Sequence, residues 1–218
     1  MFVDVVSGTS VKDIINGALI CTASESKINT YYVDGKLTEK GCSFIKDLIT
    51  KGHESVLEHA VYVFKIENMS RSLLQQFARH RHTSPSVQST RWALKRVMNN
   101  NSDFNDLVYI PDPFEYNLND EQRVVFDELV NAQKNYWNTL YKAMDMNLPN
   151  DVIKYFITEN MYTDMQVTMN LREFIHIYML RSKPPAMREF NDLCETMLDA
   201  LRIFDSNLNG ILDHITMI

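Results

Sequence analysis

Apolar residues recur at helical spacing over most of the chain, and strand-like runs are short and few. Helical spacing extends over residues 11–20, 38–51, 70–79, 121–146 and 186–204. Short apolar or β-rich runs occupy residues 2–6 and 60–66. The pattern therefore predicts an α+β fold, in which a helix-rich single domain spanning residues 1–218 contains a small antiparallel sheet.

Capping residues indicate where several of these helices begin and end. Thr38 is expected to open the second helix and Gly52 to end it. Ser70 is a suitable N-cap for the helix that follows the second strand. Asn170 with Glu173 three residues later has the pattern of a capping box, so we expect a helix to begin there.

The longest predicted helix, 121–146, carries large apolar residues at helical spacing. The spacing predicts that these side chains form core; they are Phe126, Leu129, Val130, Trp137, Leu140 and Met144. The last predicted helix covers 186–204 and follows Pro184-Pro185, which interrupt the helix before them.

Residues 79–92 break the helical pattern and contain no obvious core position. The stretch reads Arg-His-Arg-His-Thr-Ser-Pro-Ser-Val-Gln-Ser-Thr-Arg-Trp. Pro85 cannot continue a helix and disfavours helical backbone at Ser84, so the stretch is predicted to be a polar loop. Its arginines alternate with hydroxyl and amide side chains, which suits the binding of a phosphate and the edge of a base or isoalloxazine ring.

Composition narrows the class of protein. The chain has 218 residues, of which 45% are hydrophobic and 23% charged, as in ordinary globular domains. A net charge of -6 argues against nucleic-acid binding, although cations are concentrated locally at Arg79, Arg81 and Arg91. The N-terminal residues show neither a signal peptide nor a membrane span. Three cysteines without metal or redox spacing are typical of reduced thiols, so we expect a cytoplasmic protein.

Three segments together resemble the flavin-dependent thymidylate synthases. The family signature is Arg-His-Arg, seven residues, then Ser, and here Arg79-His80-Arg81 is followed by seven residues and Ser89. The segment 52–59, Gly-His-Glu-Ser-Val-Leu-Glu-His, is similar to the family's upstream element. Asn170-Leu171-Arg172, with His176 and Arg181, is similar to its C-terminal block. The resemblance spans roughly residues 21–204 and implies the fold of that family.

The resemblance implies two sets of binding residues. The residues expected to bind FAD are Ser55, Arg79, His80, Arg81, Asn170, Arg172 and His176. The residues expected to bind dUMP are Gln76, Arg79, Ser89, Thr90, Arg91, Lys154 and Arg181. His53 is assigned to the folate or nicotinamide side of the site. NADPH and methylenetetrahydrofolate are the implied co-substrates, and a homotetramer with shared active sites is the implied assembly.

The implied reaction is reductive methylation of dUMP to dTMP, with Arg181 and Ser89 as the catalytic candidates. Uracil C5 is a poor nucleophile, and one solution is to attach a cysteine to C6. None of the three cysteines here lies in an arginine-rich stretch. The other solution is a guanidinium that stabilises an enolate-like ring, which the resemblance assigns to Arg181. Ser89 has no recognisable base partner, so it is interpreted as a ligand of phosphate and sugar rather than as a nucleophile.

A metal site is not indicated, because His53 and His59 are six residues apart rather than the four of a helical zinc pair.

The sequence departs from the family pattern at Ser86-Val87, where Asn-Glu is common, at Lys154, where Arg is common, and at Pro185, where His is common. Two alternatives therefore stay open. One is transfer of another one-carbon unit, such as hydroxymethyl, to a pyrimidine nucleotide, and the other is a flavin- or nucleotide-binding protein without catalysis.

Overall fold

The protein is described by a computed structural model covering residues 1–100 and 103–217. The α-helices are α1 (Lys12–Cys21), α2 (Ile28–Tyr31), α3 (Glu39–Thr50), α4 (Arg71–Phe77), α5 (Thr90–Asn100), α6 (Asp120–Asp145), α7 (Asn150–Ile153), α8 (Leu171–Arg181), α9 (Arg188–Phe204) and α10 (Asn209–Met217). The strands are β1 (Phe2–Gly8), β2 (Tyr32–Val33), β3 (Lys36–Leu37), β4 (Val61–Ser70), β5 (Ser84–Val87) and β6 (Tyr162–Asn170). Short 3-10 helices occupy Glu25–Lys27, Glu54–His59, Phe104–Asp106 and Ser206–Leu208.

The predicted fold class is confirmed: helices dominate around a small antiparallel sheet. The sheet has four strands in the order β1-β4-β6-β5, and β1 runs antiparallel to β4. β2 and β3 form a separate antiparallel hairpin. Among the described residues, no helix combines the length and the apolar content needed to cross a membrane.

The chain divides into two compact units, and each is described by itself. The first comprises Met1–Glu67, Gln76–Ser86 and Met165–Ile218, and the second comprises Asn68–Gln75 and Val87–Asp164. The boundaries between the units fall within β4, α4, β5 and β6, so each of these elements contributes residues to both units. Residues 99–113, whose polar side chains and two prolines predict a loop, include 101 and 102, which lie outside the described residues.

The core of the first unit is built on strand alternation and two long amphipathic helices. On β4, Tyr62, Phe64 and Ile66 point inward and are fully buried, as period-2 geometry requires. The ring of Phe64 stacks on that of Phe174 in α8, with centroids 6.1 Å apart. In α9 the buried face is apolar except for Glu189, and Phe190 on this face is fully buried.

The core of the second unit is formed by the C-terminal half of α6. Trp137, Leu140 and Met144 are buried, and they belong to one cluster with Leu94 and Met98 of α5. The N-terminal half of α6 does not follow the prediction. Phe126 and Val130 are only half-buried, and Leu129 is 65% exposed, so helical spacing alone overestimated the core.

The polar stretch 79–92 also differs from the prediction. Ser84–Val87 forms the edge strand β5, and an edge strand is the place in a sheet where a proline such as Pro85 is tolerated. Helix α5 then begins at Thr90 and extends to Asn100. His80, in a stretch predicted to be a polar loop without core positions, is buried with only 7% of its surface exposed.

Candidate active site

A cavity of about 580 Å³ in the first unit collects most of the charged residues singled out by the sequence. Three segments line it: the 3-10 helix Glu54–His59, the loop that follows α4, and the first turns of α8. The lining residues are Glu54, Glu58, Arg79, His80, Arg81, His82, Asn170, Arg172, Glu173 and His176. Arginines, histidines and carboxylates thus face one shared space, although they lie far apart in sequence.

The N-terminus of α8 is fixed by its predicted cap. Asn170 ends β6 in extended conformation, and its Oδ1 accepts a hydrogen bond from the backbone N–H of Glu173 at 2.9 Å. The backbone amides of the first helical turn and the positive end of the helix dipole therefore lie at the cavity. A helix N-terminus of this kind favours an anionic group such as a phosphate.

Arg172 pairs with two carboxylates that line the same cavity, those of Glu54 and Glu58. Its Nη1 donates to Oε1 of Glu58 at 2.7 Å, and its Nε donates to Oε2 of Glu54 at 3.4 Å. The hydrogen bond to Glu58 is the largest cause of the raised pKa of Arg172. Because the arginine side chain is 48% exposed, solvent screens these pairs, and an incoming anion can compete for the guanidinium.

His80 is held among aromatic rings at the inner wall. Its ring lies edge-on to Phe77 at 6.2 Å and to Phe190 at 5.7 Å between centroids. Burial, together with the charges of Arg181 and His176, lowers the pKa of His80 to about 4. At neutral pH the imidazole is therefore uncharged, and it has one donor nitrogen and one acceptor nitrogen.

Arg181, at the C-terminal end of α8, contacts the same group of rings. Its Nε donates to Nε2 of His80 at 3.3 Å, and its guanidinium carbon lies 5.2 Å from the centre of the Phe190 ring. The backbone carbonyl of Arg181 accepts a hydrogen bond from the side-chain amide of Asn191. Three contacts thus restrain the residue to which the resemblance assigns activation of the pyrimidine.

The structure brings the predicted FAD residues together, with one exception. All except Ser55 line the cavity; Ser55 is exposed on the 3-10 helix that supplies Glu54 and Glu58. His53 is exposed just before that helix and is not a lining residue. Gln76, predicted for dUMP, donates from Nε2 to the sulfur of Met187 at 3.3 Å. The assignment of these residues to particular ligands stays a prediction.

The predicted dUMP residues are divided between the two units. Gln76, Arg79 and Arg181 belong to the first unit, and the remaining four, Ser89, Thr90, Arg91 and Lys154, belong to the second. In the second unit Thr90 and Lys154 line a cavity of about 290 Å³ together with Arg71 and Gln75. Whether both groups bind one nucleotide stays a prediction.

Asp151 joins two of the predicted phosphate ligands. Its Oδ1 lies 3.2 Å from Nε of Arg91 and 3.1 Å from Nζ of Lys154. Ser89 immediately precedes α5, and its carbonyl accepts from the amide of Ala93. Arg91 and Lys154 therefore already share an anionic partner, as ligands of a phosphate would.

Sequence reasoning assigned no ligand to six Arg, His or Glu residues that line these cavities, namely Glu54, Glu58, Arg71, His82, Glu159 and Glu173. Glu54 and Glu58 belong to a quoted motif but were given no ligand, and their four-residue spacing could have indicated a shared face. Glu173 was noted only as a capping partner. Among the described residues, no group of three or more His, Cys, Asp or Glu side chains is arranged to hold a metal ion.

Comparisons with known proteins identify one family. The sequence model of a family described as thymidylate synthase complementing protein matches residues 4–204. A flavin-dependent thymidylate synthase of Campylobacter jejuni is 36% identical over 152 residues, covering 68% of this chain and 69% of that protein. One from Sulfolobus acidocaldarius is 30% identical over 186 residues, covering 85% of this chain and 66% of that protein.

A solved structure gives the same result at the level of fold. Thymidylate synthase X from Helicobacter pylori, crystallised with FAD and dUMP, superposes with a TM-score of 0.79 at 25% identity. The superposition covers 99% of this chain and 98% of that one. The chain therefore belongs to the flavin-dependent thymidylate synthase family.

Proposed function

We propose that this chain catalyses reductive methylation of dUMP to dTMP, using FAD, NADPH and methylenetetrahydrofolate. The observation that carries the proposal is the single cavity shared by Arg79, His80, Arg81 and the start of α8 at Asn170 and Arg172. These residues come from two of the three segments that resemble the family. FAD, when bound, supplies the hydride transfer that no side chain can perform.

The chemistry of the cavity suits a flavin dinucleotide. Arg79, Arg81 and Arg172 can neutralise a pyrophosphate, and the amides at the N-terminus of α8 add donors for its oxygens. His176 offers ring nitrogens for the polar edge of an isoalloxazine, and His80, whose two nitrogens face Arg181 and Glu173, lines the same cavity. Ser55 and the folate-side residue His53 lie on or next to the 3-10 helix at the rim and complete the proposed set.

Arg181 is the proposed activator of the pyrimidine. A guanidinium on the O2 and N3 side of uracil stabilises the negative charge that develops when C5 becomes nucleophilic. The hydrogen bond to His80 uses only the Nε–H, so the four N–H groups on the two Nη atoms are not required for it. These are the groups that form the planar fork needed for a bidentate contact.

The nucleotide phosphate is assigned to the second unit. Ser89, Thr90, Arg91 and Lys154 provide hydroxyl donors and cations, and Gln76 and Arg79 of the first unit complete the proposed dUMP set. Lys154 has no planar guanidinium for a bidentate contact, but Arg71, which lines the same cavity, can supply one. The shared contact of Arg91 and Lys154 with Asp151 supports the proposal only in that both cations can reach one anionic group.

The functional assembly is proposed to be a homotetramer with shared active sites, acting as one catalytic domain per chain in the cytoplasm. Exposed apolar residues on the N-terminal half of α6 support burial by another copy: Val124 is 59% exposed, Val125 54% and Leu129 65%. Light scattering after gel filtration measures the assembly. A mass of four chains supports the proposal, and a monomer at working concentration contradicts it.

Growth of a thymidine-requiring host tests the function as a whole. Expression of the wild-type chain is expected to restore growth without added thymidine. The matched variant Arg181→Ala, produced at the same level, is expected not to do so. Failure of the wild-type chain, when it accumulates as folded protein with bound flavin, would contradict the proposal.

A further inference from the structure

We propose that Glu173 is a positioning residue, which acts through His80 to hold Arg181 in the orientation that binds the pyrimidine. The inference rests on the proposed function of Arg181 as the activating group. It adds a residue that neither the sequence motifs nor the names of the relatives assign to the reaction.

The three side chains form a continuous series. Nδ1 of His80 lies 3.9 Å from Oε1 of Glu173, and Nε2 on the opposite side of the ring accepts from Nε of Arg181 at 3.3 Å. The side chains of His80 and Glu173 are only 5% and 8% exposed. Water therefore screens the attraction between them weakly.

The direction of the hydrogen bond fixes the tautomer. Nε–H of Arg181 can only donate, so Nε2 of His80 must be the acceptor and the ring proton must lie on Nδ1. Nδ1 is the ring nitrogen next to the buried carboxylate of Glu173; the separation of 3.9 Å corresponds to a charge–dipole contact rather than a hydrogen bond. A carboxylate behind an imidazole favours this tautomer and orients the ring, as it does behind histidines that bind metals.

The low pKa of His80, about 4, keeps the ring neutral at neutral pH and so preserves its acceptor nitrogen. Packing then fixes the orientation, since His80 and Arg181 both lie against the ring of Phe190. Glu173 and Arg181 belong to the same helix, so the carboxylate and the guanidinium it influences are carried by one rigid element. The Nη groups of Arg181 are thereby positioned for a ligand.

A buried carboxylate is costly unless it has a partner, so its presence calls for a role. Glu173 occupies the third position of α8, where its backbone N–H is already satisfied by Asn170. The capping interaction does not require a carboxylate at this position, because it uses only the backbone. The contact of Oε1 with Nδ1 of His80 is one that a glutamate side chain provides at this position and an alanine would not.

The experiment compares Glu173→Gln with wild type, both loaded with FAD. Glu195→Gln is the matched control: it removes a carboxylate that also contacts α8, through the hydroxyl of Tyr178 at 2.8 Å, but does not line the cavity. Glu173→Gln is expected to lower the single-turnover methylation rate at saturating dUMP by about tenfold or more, as misplacement of a reacting group does. Flavin reduction by NADPH should be slowed less than methylation, since the orientation of Arg181 affects the pyrimidine step.

Nitrogen-15 NMR of His80 gives a readout that does not depend on turnover. The wild-type ring is expected to carry its proton on Nδ1, and Glu173→Gln is expected to shift the population toward Nε2–H. An Nε2–H tautomer in the wild type would overturn the inference even if no Glu173 variant folds. A Glu173→Gln enzyme with wild-type methylation rate and unchanged tautomer would overturn it as well.

These results are separable from failure of the proposed function. If the wild-type chain does not methylate dUMP at all, the function is wrong, and the tautomer measurement still decides whether Glu173 orients His80. If Glu195→Gln slows methylation as much as Glu173→Gln does, loss of any carboxylate at α8 has the same effect, and the positioning role is overturned.

Discussion

Nη1 of Arg172 donates to Oε1 of Glu58 at 2.7 Å, which connects the first turn of α8 to the 3-10 helix Glu54–His59. The contact brings together two of the three segments that identify the family in the sequence. It also shows why motifs more than a hundred residues apart act together, since one arginine links both sides of the proposed flavin cavity.

Arg172→Ala is expected to weaken FAD binding by about tenfold or more, because a charge-assisted contact to the cofactor is lost. Flavin fluorescence titration measures the dissociation constant. Glu58→Gln is the control: it removes the competing negative charge and keeps the cation, so FAD affinity should stay the same or increase. Equal weakening in the two variants would show that the ion pair, rather than the cation, supports the site.

Replacing Cys21, Cys42 and Cys194 together is expected to leave turnover intact. None of them lines the flavin cavity, and burial raises the pKa of Cys194 to about 12, so its thiol is not ionised at neutral pH. Cys194→Ala is preferable to Ser, because the side chain is buried. Steady-state dTMP formation checks the result. Abolished turnover in a triple variant that still folds and binds FAD would reveal a cysteine nucleophile.

Arg181→Ala and Arg91→Ala are expected to separate chemistry from binding. Loss of a group that stabilises the developing charge typically slows the step by about a hundredfold or more. Arg181→Ala should therefore lower the single-turnover methylation rate at saturating dUMP, with less effect on flavin reduction. Arg91→Ala should mainly raise the dUMP dissociation constant. If the single-turnover methylation rate at saturating dUMP falls equally in both variants, this division of roles is contradicted.

The capping box at the start of α6 gives a prediction about stability. Oδ1 of Asn119 accepts from the amide of Gln122, and Oε1 of Gln122 accepts from the amide of Asn119, both at 2.9 Å. Asn119→Ala should lower the free energy of unfolding by about 1 kcal/mol, whereas Asn119→Ser, which keeps an acceptor, should be close to wild type. Urea denaturation measures both. A fully stable Asn119→Ala variant would mean that the cap contributes nothing to global stability.

Local signals predicted the helices well where a cap and an apolar face coincide. Thr38 caps α3 by accepting from the amide of Gly41 at 3.0 Å, and Gly52 has a positive φ of 73° after the helix ends. Asn170 begins α8 as expected. In these cases the determining interactions lie within a few residues, so the sequence contains the information needed.

Two strands and one hairpin were missed although signals for some of them were present. Along β6, Thr163, Met165, Val167 and Met169 are buried in strict alternation, a period-2 pattern that was available in the sequence. Asp34-Gly35, with positive φ at both residues, is a typical hairpin turn between β2 and β3. In contrast, β5 is exposed at every residue and is a strand only because it pairs at the edge of the sheet.

Non-local packing accounts for the remaining differences. His80 is buried because Phe77 and Phe190 surround it, and Phe190 lies more than a hundred residues away. Glu173 belongs to the site because α8 brings it opposite His80, which no local pattern indicates. The final helix α10 was also missed, since the last predicted helix ended at residue 204.

Product analysis with labelled carbon tests the central claim most directly. The purified chain is incubated with dUMP, FAD, NADPH and methylenetetrahydrofolate carrying carbon-13 in its methylene group, and the nucleotides are resolved by mass spectrometry. The account predicts dTMP with one carbon-13 atom, formed only when both FAD and NADPH are present. Labelled hydroxymethyl-dUMP as the sole product, or no product from folded protein that binds FAD and dUMP, would contradict it.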